Sequence, residues 1–419
     1  MATLSLALSG VAATGAWAGP LDPPAGPVSS TYKTLTDVEP RIAMSATTTP
    51  GGATAILRIS QPGSYYLTGN VIGVAGRHGI EISSSGVTLD LNGFEVIGVG
   101  AAGGAFDGVR AFGGFKNITI KNGHVRNWGD DGVEIANVVN SAGARVVNVQ
   151  STGNAGIGIA CSTSNGVVIA CTASENGSTG ISATRLISEC SAVDNAGSGL
   201  SVGQGGTIIN STAFSNDGNG LFSGFGGTIV NCTSDNNADD GIEASNGTTI
   251  TNCSFLANGG SGINVFSSIT IRNCTAVGNA LYGIDADTYC HIEGSTANSN
   301  TLGGIRCGSR GVVRNNIAAL NASGDEIGAG ILGVGSDTRF EGNTCNNNDF
   351  GIDIDGTGNI IISNTCANNT QAFVIGVDNF YGPIIDRRIP TAIASTPAAV
   401  GFSASSTMGS SDSRANFAQ

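Results

Sequence analysis

The sequence predicts an all-β solenoid, one chain coiled so that each turn stacks on the last, with about 12–13 coils and mostly 21-residue repeats. Three observations carry this. A Gly followed by an apolar residue recurs at 79, 108, 132, 156, 180, 199, 220, 241, 262, 283, 304, 330 and 351, and from 199 to 304 the step is 21 residues five times running. Apolar residues alternate with polar ones in pieces too short for a helix, as in GINV (262–265), SITI (268–271) and CTAV (274–277). An Asn precedes most of those Gly residues by four positions: Asn176, Asn195, Asn216, Asn237, Asn258, Asn279, Asn300 and Asn347. A unit of 21 residues holds three strands and leaves only tight bends, which need Gly or Asn to reach left-handed angles. Such a unit cannot bury its own apolar face, so units must stack in parallel and in register, with rungs about 4.8 Å apart. Thirteen of them make a rod of about 60 Å.

Along the chain, LSLALSGVAA (4–13) followed by Ala16-Trp17-Ala18 reads as a secretory signal peptide over 1–18, although no Lys or Arg precedes the apolar run. Residues 19–64 read as an extended capping segment, with one short helical turn in 34–44. Residues 65–385 are the solenoid, and 386–419, rich in Ser, Ala and Thr without periodicity, are a flexible tail. No later segment is long and apolar enough to span a bilayer.

Composition narrows the partners. The chain has 65 Gly, 39 Asn, 12% charged residues and a net charge of −13, so it repels nucleic acid and polyanionic sugars alike. Ten Pro and no G-X-Y period exclude collagen. Of the ten Cys, 171, 190, 232, 253, 274, 345 and 366 are placed in one inward column of thiols. In-register neighbours sit about 4.8 Å apart on parallel vectors, beyond disulfide reach. Cys161, Cys290 and Cys307 lie outside that column, and one bridge among them stays open. No C-x-x-C occurs, which argues against zinc.

The Gly-Ile strand start, the bend Asn before a small inward residue (Asn231-Cys232, Asn252-Cys253, Asn273-Cys274) and the 21-residue step resemble the right-handed parallel β-helix proteins, the pectate-lyase-like fold, over about residues 65–375. PGSYYLTGN (62–70) and VTLDLNGFEV (87–96) resemble secreted bacterial members of unknown role. GDD (129–131) is similar to the polygalacturonase GDD, where both aspartates serve hydrolysis, but that family's N-T-D, G-H-G and R-I-K elements are not matched. YGIDAD (282–287) is similar to the Y-G-x-D-P-H-D of alginate epimerases and lacks its Pro and His.

The second residue after each repeat Gly faces outward. That column contains Glu243, Asn264, Asp285 and Arg306 on four consecutive rungs, flanked by Asp239, Asp240 and Asp287. Glu243 and Asp285, two rungs or about 9–10 Å apart at the backbone, suit the acid–base pair of an inverting glycosidase, with Asp240 as a further carboxylate. Asn264, Arg306 and Asp287 are expected to bind sugar. The second candidate is Asp130, Asp131 and Glu134, with His124 and Arg126 near and Trp128 as a stacking face. Outward residues of a soluble solenoid must be polar in any case, so both clusters also fit a merely solvated surface. No metal or cofactor is indicated, and the Asp239-Asp240 turn is the place for a calcium ion if one binds. The reading is an exported bacterial protein, secreted or at the cell surface, that binds an extracellular polysaccharide along its sheet face, with hydrolysis as the reaction expected if it is an enzyme. The alternative is a non-catalytic structural or adhesive surface protein. A groove, if present, is walled by the loops at 98–106 and 321–329. Oligomeric state is not legible.

Overall fold

The computed structural model describes residues 39–136, 141–322, 328–386 and 412–419. The expected signal peptide and most of the tail therefore lie outside the described residues. The chain divides into residues 1–40 and 41–419, and the solenoid belongs to the second unit. Among the described residues the strands form two parallel sheets of 15 and 30 strands, and the one helical element is a single 3-10 turn, Ala101–Gly103. No described helix is long and apolar enough to cross a membrane.

Most turns contribute one strand to the smaller sheet and two to the larger, the two merging into one long strand at Ile118–Arg126 and at Arg145–Thr152. In the turn at 241–261, Ile242–Ala244 joins the first sheet, and Thr249–Thr251 and Ser254–Leu256 join the second. Alternation sends Ile242, Ala244, Ile250 and Phe255 inward, all fully buried, and turns Glu243 outward. Burying such side chains stabilises by about 1.5–3 kcal/mol each, and the in-register partners above and below provide the apolar surroundings. Bends fall at the expected Asn residues: Asn210, Asn231, Asn252 and Asn273 have φ of 52–56°.

The repeat glycines stand where the chain crosses closely over its neighbour. A Cβ on Gly241 would lie 2.5 Å from the Gly262 carbonyl oxygen and 2.8 Å from Phe255. Beside them runs an amide ladder, Asn154–Asn176–Asn195–Asn216–Asn237–Asn258–Asn279–Asn300–Asn321–Asn348–Asn369. In each pair one side-chain Oδ1 accepts from both the backbone N–H and the Nδ2 of the Asn one rung before, as Asn258 does from Asn237 at 3.1 and 3.0 Å.

Several details differ from expectation. The glycine of the fourth anticipated repeat is Gly158, not Gly156, because Ile159 and Ala160 pair with Val133 and Glu134. GIGI (156–159) offers the same pattern twice, two residues apart, so alternation alone cannot choose. Asn348 rather than Asn347 is the ladder residue, since Asn347 takes the bend with φ 56°. Cys345 and Cys366 leave the thiol column: beyond Cys274 it continues as Ser295, Asn316, Asn343 and Asn364, while Cys345 pairs with Ala318. All ten Cys are buried free thiols.

The solenoid also begins before residue 65. Ile42–Ala43, Ala55–Ile59 and Gly63–Tyr66 are already in the sheets, and where a helical turn was expected at 34–44 the described part holds a strand. Ala55–Ile59 and Gln371–Ile375 add rungs at the two ends of the 13 anticipated ones. At the far end, residues 412–419 are packed rather than loose: Asn416–Ala418 is a strand with Asn416 fully buried. The Asn that anchors it lies in a tail whose composition is otherwise featureless.

Candidate active site

The smaller sheet carries the outward column Arg58, Glu81, Arg110, Glu134, Ala160, Ser182, Ser201, Phe222, Glu243, Asn264, Asp285, Arg306, Leu332, Asp353 and Val374. Its first four members alternate in charge and form the most developed site. Arg58 Nη2 lies 2.8 Å from Glu81 Oε2, which also accepts from the Thr54 hydroxyl at 2.9 Å. Arg110 Nε lies 3.1 Å from Glu134 Oε2. A pocket of about 210 Å³ is lined by Thr54, Arg58, His78, Glu81, Arg110 and Phe112, so Glu81 lines it and Glu134 does not.

A second column stands directly beside the first, made of the residue before each repeat Gly: His78, Asp107 and Asp131. His78 and Asp107 are buried, with Asp107 Oδ2 3.2 Å from His78 Nδ1. Arg110 Nη1 approaches His78 Nε2 at 2.9 Å, so its guanidinium is fixed between the imidazole and Glu134. The Asp131 backbone N–H donates to Asp107 Oδ1 at 3.1 Å, and Asp131 Oδ1 accepts from the Ile157 N–H at 2.6 Å. Phe106, in the loop expected to wall a groove, packs edge-on against His78 with ring centroids 5.0 Å apart.

The electrostatics separate the carboxylates. Burial pushes Asp131 up to about 7, with the negative charges of Asp107, Asp130 and Glu134 adding to it. Burial and then Asp107 raise Asp130. Glu134 is raised by burial and by Asp107, against the pull of Arg110. Glu81 moves the other way: burial alone would raise it, but hydrogen bonds from Arg58 and Thr54 outweigh that and hold it below the usual carboxylate range. Opposed displacements of neighbouring carboxyls are the usual mark of an acid–base pair.

The Asp131 shift implies a stability signature. A carboxyl whose folded pKa is raised from 3.8 to about 7 binds more protons folded than unfolded between those values, so stability falls as pH rises through that window. The upper bound on the loss is about 4 kcal/mol. Asp131→Asn keeps the oxygen that accepts from Ile157 and should flatten the fall. Thermal melts from pH 4 to 8 check this, and parallel curves for the two proteins would contradict it.

The expected partners of Asp130, Asp131 and Glu134 are not all there. Trp128 is 2% exposed, with its indole N–H donating to the Val96 carbonyl at 3.0 Å, so it presents no stacking face. It supports the site from beneath instead: Cβ atoms on Gly79 or Gly108 would meet it within 2.9 Å. Arg126 and His124 lie on Ile118–Arg126 in the larger sheet, and Arg126 pairs with Glu95 at 3.0 Å. Arg58, His78, Asp107 and Arg110 are the members sequence reasoning did not assemble. The available signal was the position before each repeat Gly.

The Glu243–Asn264–Asp285–Arg306 column is in register as expected. Its side chains are engaged with one another or with their neighbours. Arg306 Nη1 holds Asp285 Oδ1 at 2.6 Å, and Asn219 Nδ2 donates to Glu243 Oε2 at 2.8 Å. Asp240 is buried, its oxygens accepting from the Ser261 N–H at 2.6 Å and Asn264 Nδ2 at 2.8 Å. Burial raises its pKa, with Asp239 and Glu243 contributing to the rise. One donor reaches each Asp240 oxygen, and Asp239 is exposed. Among the described residues no group of three or more His, Cys, Asp or Glu is arranged to hold a metal ion. Asp287 is exposed beside Arg306.

With this geometry in hand, residues 182–291 match the family model of the right-handed beta helix region. Over the described residues the chain has the right-handed parallel β-helix fold. No curated protein sequence matches the β-helix at a significant level. Among solved structures it is similar to the A-module of the mannuronan C-5 epimerase AlgE4 of Azotobacter vinelandii, at 17% identity and a TM-score of 0.48 over 76% of this chain and 90% of that one. It is also similar to the receptor-binding domain of the siphovirus 9NA tailspike, at 9% identity and 0.46 over 83% and 78%. A third is PfbA, a surface adhesin of Streptococcus pneumoniae, at 12% and 0.28 over 74% and 82%. At these identities the likeness is one of fold.

Proposed function

We propose that this β-helix protein is exported, binds an extracellular polysaccharide along its 15-strand face and hydrolyses it at the Arg58–Glu81–Arg110–Glu134 column. The observation that carries the reading is the pair Glu81 and Glu134, two rungs apart on one face with Glu81 lining a pocket, and with pKa values displaced in opposite directions. Two rungs are about 9–10 Å at the backbone, near the ~6.5–9.5 Å that separates an inverting acid and base. Glu134, kept protonated, gives its proton to the glycosidic oxygen as the C–O bond breaks. Glu81, kept ionised by Arg58, takes a proton from the water that attacks the opposite face of the sugar. Arg110, fixed by His78, binds a sugar hydroxyl between them. Five rungs farther on, about 24 Å away, Glu243, Asn264 and Arg306 offer hydroxyl partners to the same polymer. The net charge of −13 favours a neutral or cationic glycan.

The test is a panel of neutral, cationic and uronic polysaccharides, read by new reducing ends and by co-sedimentation. The expected result is release from one neutral or cationic polymer, abolished in Glu81→Gln/Glu134→Gln while sedimentation is kept. Binding without release by the unaltered protein would move the assignment to the non-catalytic, adhesive reading. Neither binding nor release would remove the carbohydrate reading altogether.

A further inference from the structure

The chain re-enters its own sheet out of sequence order. Asn416–Ala418 lies between Thr365–Ala367 and Ile384–Asp386, parallel to both, with Phe417 opposite Thr365 on one side and Ile385 on the other. Asn416 takes the next place in the second amide ladder, after Asn316, Asn343 and Asn364. Its Oδ1 accepts from the N–H and Nδ2 of Asn364 at 3.0 and 3.2 Å, and its Nδ2 donates to the carbonyls of Ile361 and Gly382 at 3.1 and 3.2 Å. Backbone bonds run from Asn416 N to Pro383 O, Phe417 N to Asn364 O and Gln419 N to Cys366 O, at 2.7–2.9 Å. Ala415 and Ala418 are buried. Gly382 is shaped to the segment: a Cβ there would lie 2.0 Å from the Arg414 carbonyl oxygen.

Recognition of this strand therefore rests on its own side chains and backbone, not on continuity with its neighbours. Vacated, the slot would leave two open strand edges and the Asn364 amide without its acceptor. Twenty-five residues, 387–411, separate the segment from Asp386. Chain of that length reaches up to about 80–90 Å, far enough to pass to another molecule. We infer that the slot takes the same segment from a second copy of this chain, so that two molecules exchange residues 412–419 reciprocally. Every contact is identical in the closed monomer and the exchanged dimer, so the balance is set by the effective concentration of the tethered strand, on the order of 1 mM.

The full-length protein tests this directly. Two single variants, Ser363→Cys and Ser413→Cys, are mixed and treated with a short bismaleimide; the native thiols are all buried, and Ser363 Oγ lies 3.1 Å from the Ser413 carbonyl in the occupied slot. A covalent product containing one chain of each kind is expected, rising with concentration and half-maximal on the order of 1 mM. Ala418→Glu on the Ser413→Cys chain disables that segment and leaves the other chain's slot to its own segment, so the product should fall at least about tenfold. No two-chain product at any concentration, or a product undiminished by Ala418→Glu, overturns the exchange.

Discussion

An Asn258→Ala chain is expected to lose about 2–6 kcal/mol of unfolding free energy, a large part of the 5–15 kcal/mol typical of a folded domain. Asn258 is 1% exposed, and its Oδ1 is the acceptor for both the backbone N–H and the Nδ2 of Asn237. Its own Nδ2 donates to Asn279 Oδ1 at 3.0 Å and to the Ser234 carbonyl at 3.2 Å. Alanine removes both acceptor and donor, leaving at least two buried N–H groups without partners. In a stacked-repeat protein the damage stays with the nearest rungs, so the transition should broaden or split as well as move. The control is Asn273→Ala. That residue belongs to the exposed bend ladder, with its Nδ2 3.3 Å from Asn252 Oδ1 and φ of 52°. Solvent replaces its lost bond, and the remaining cost is about 1–2 kcal/mol for an alanine in the left-handed region. Urea titrations of the two variants give the comparison. Equal losses would mean that the buried ladder contributes no more than the bends.

Glu134→Gln is expected to lower kcat on the responsive polysaccharide by about 10²–10⁴-fold, the usual contribution of a positioned acid. Glutamine keeps the shape and the contact with Arg110 but has no proton to give. The pH profile follows from the two carboxyls. Glu134, raised by burial and Asp107, stays protonated above the ordinary carboxylate range, so activity falls as pH rises through its folded pKa. Glu81, lowered by Arg58 and Thr54 in spite of burial, loses its charge only below that range, so activity falls again as pH drops through its own. The optimum should lie on the acidic side, between the two. Arg58→Ala removes one of the groups holding Glu81 down and should move the acidic limb upward while leaving the alkaline limb in place. A profile in which Arg58→Ala shifts the alkaline limb instead would exchange the roles assigned to the two glutamates.

Much of this protein follows from local order. The Gly-apolar-polar-apolar strand start, the left-handed Asn bends and the buried amide ladder were legible because each depends on spacings of two, four or 21 residues, and stacking in register turns such spacings into columns. The reading slipped where one pattern fitted twice, at Gly156 against Gly158 and at Asn347 against Asn348. Two residues of drift keep the same alternation at the glycine, and a run of adjacent Asn offers the same side chain at 347 and 348, so only pairing with the neighbouring rung distinguishes them.

The site was legible in part. Asp130, Asp131 and Glu134 stood out as a run of acids, but nothing local says that His78, Asp107 and Arg110 close on Glu134. Those contacts join residues 24–32 apart across irregular loops, and their burial depends on Phe106 and Trp128. Trp128 shows the same limit in reverse: exposed by its neighbours in the sequence, it is drawn inward by the space beneath Gly79 and Gly108. By itself the sequence determined the coil, its period and the direction each strand residue faces, because these are repeated short-range choices. The tertiary structure alone decided which charges meet, which carboxyl is desolvated and where the last strand inserts, because those depend on single, non-repeating contacts between distant parts of the chain.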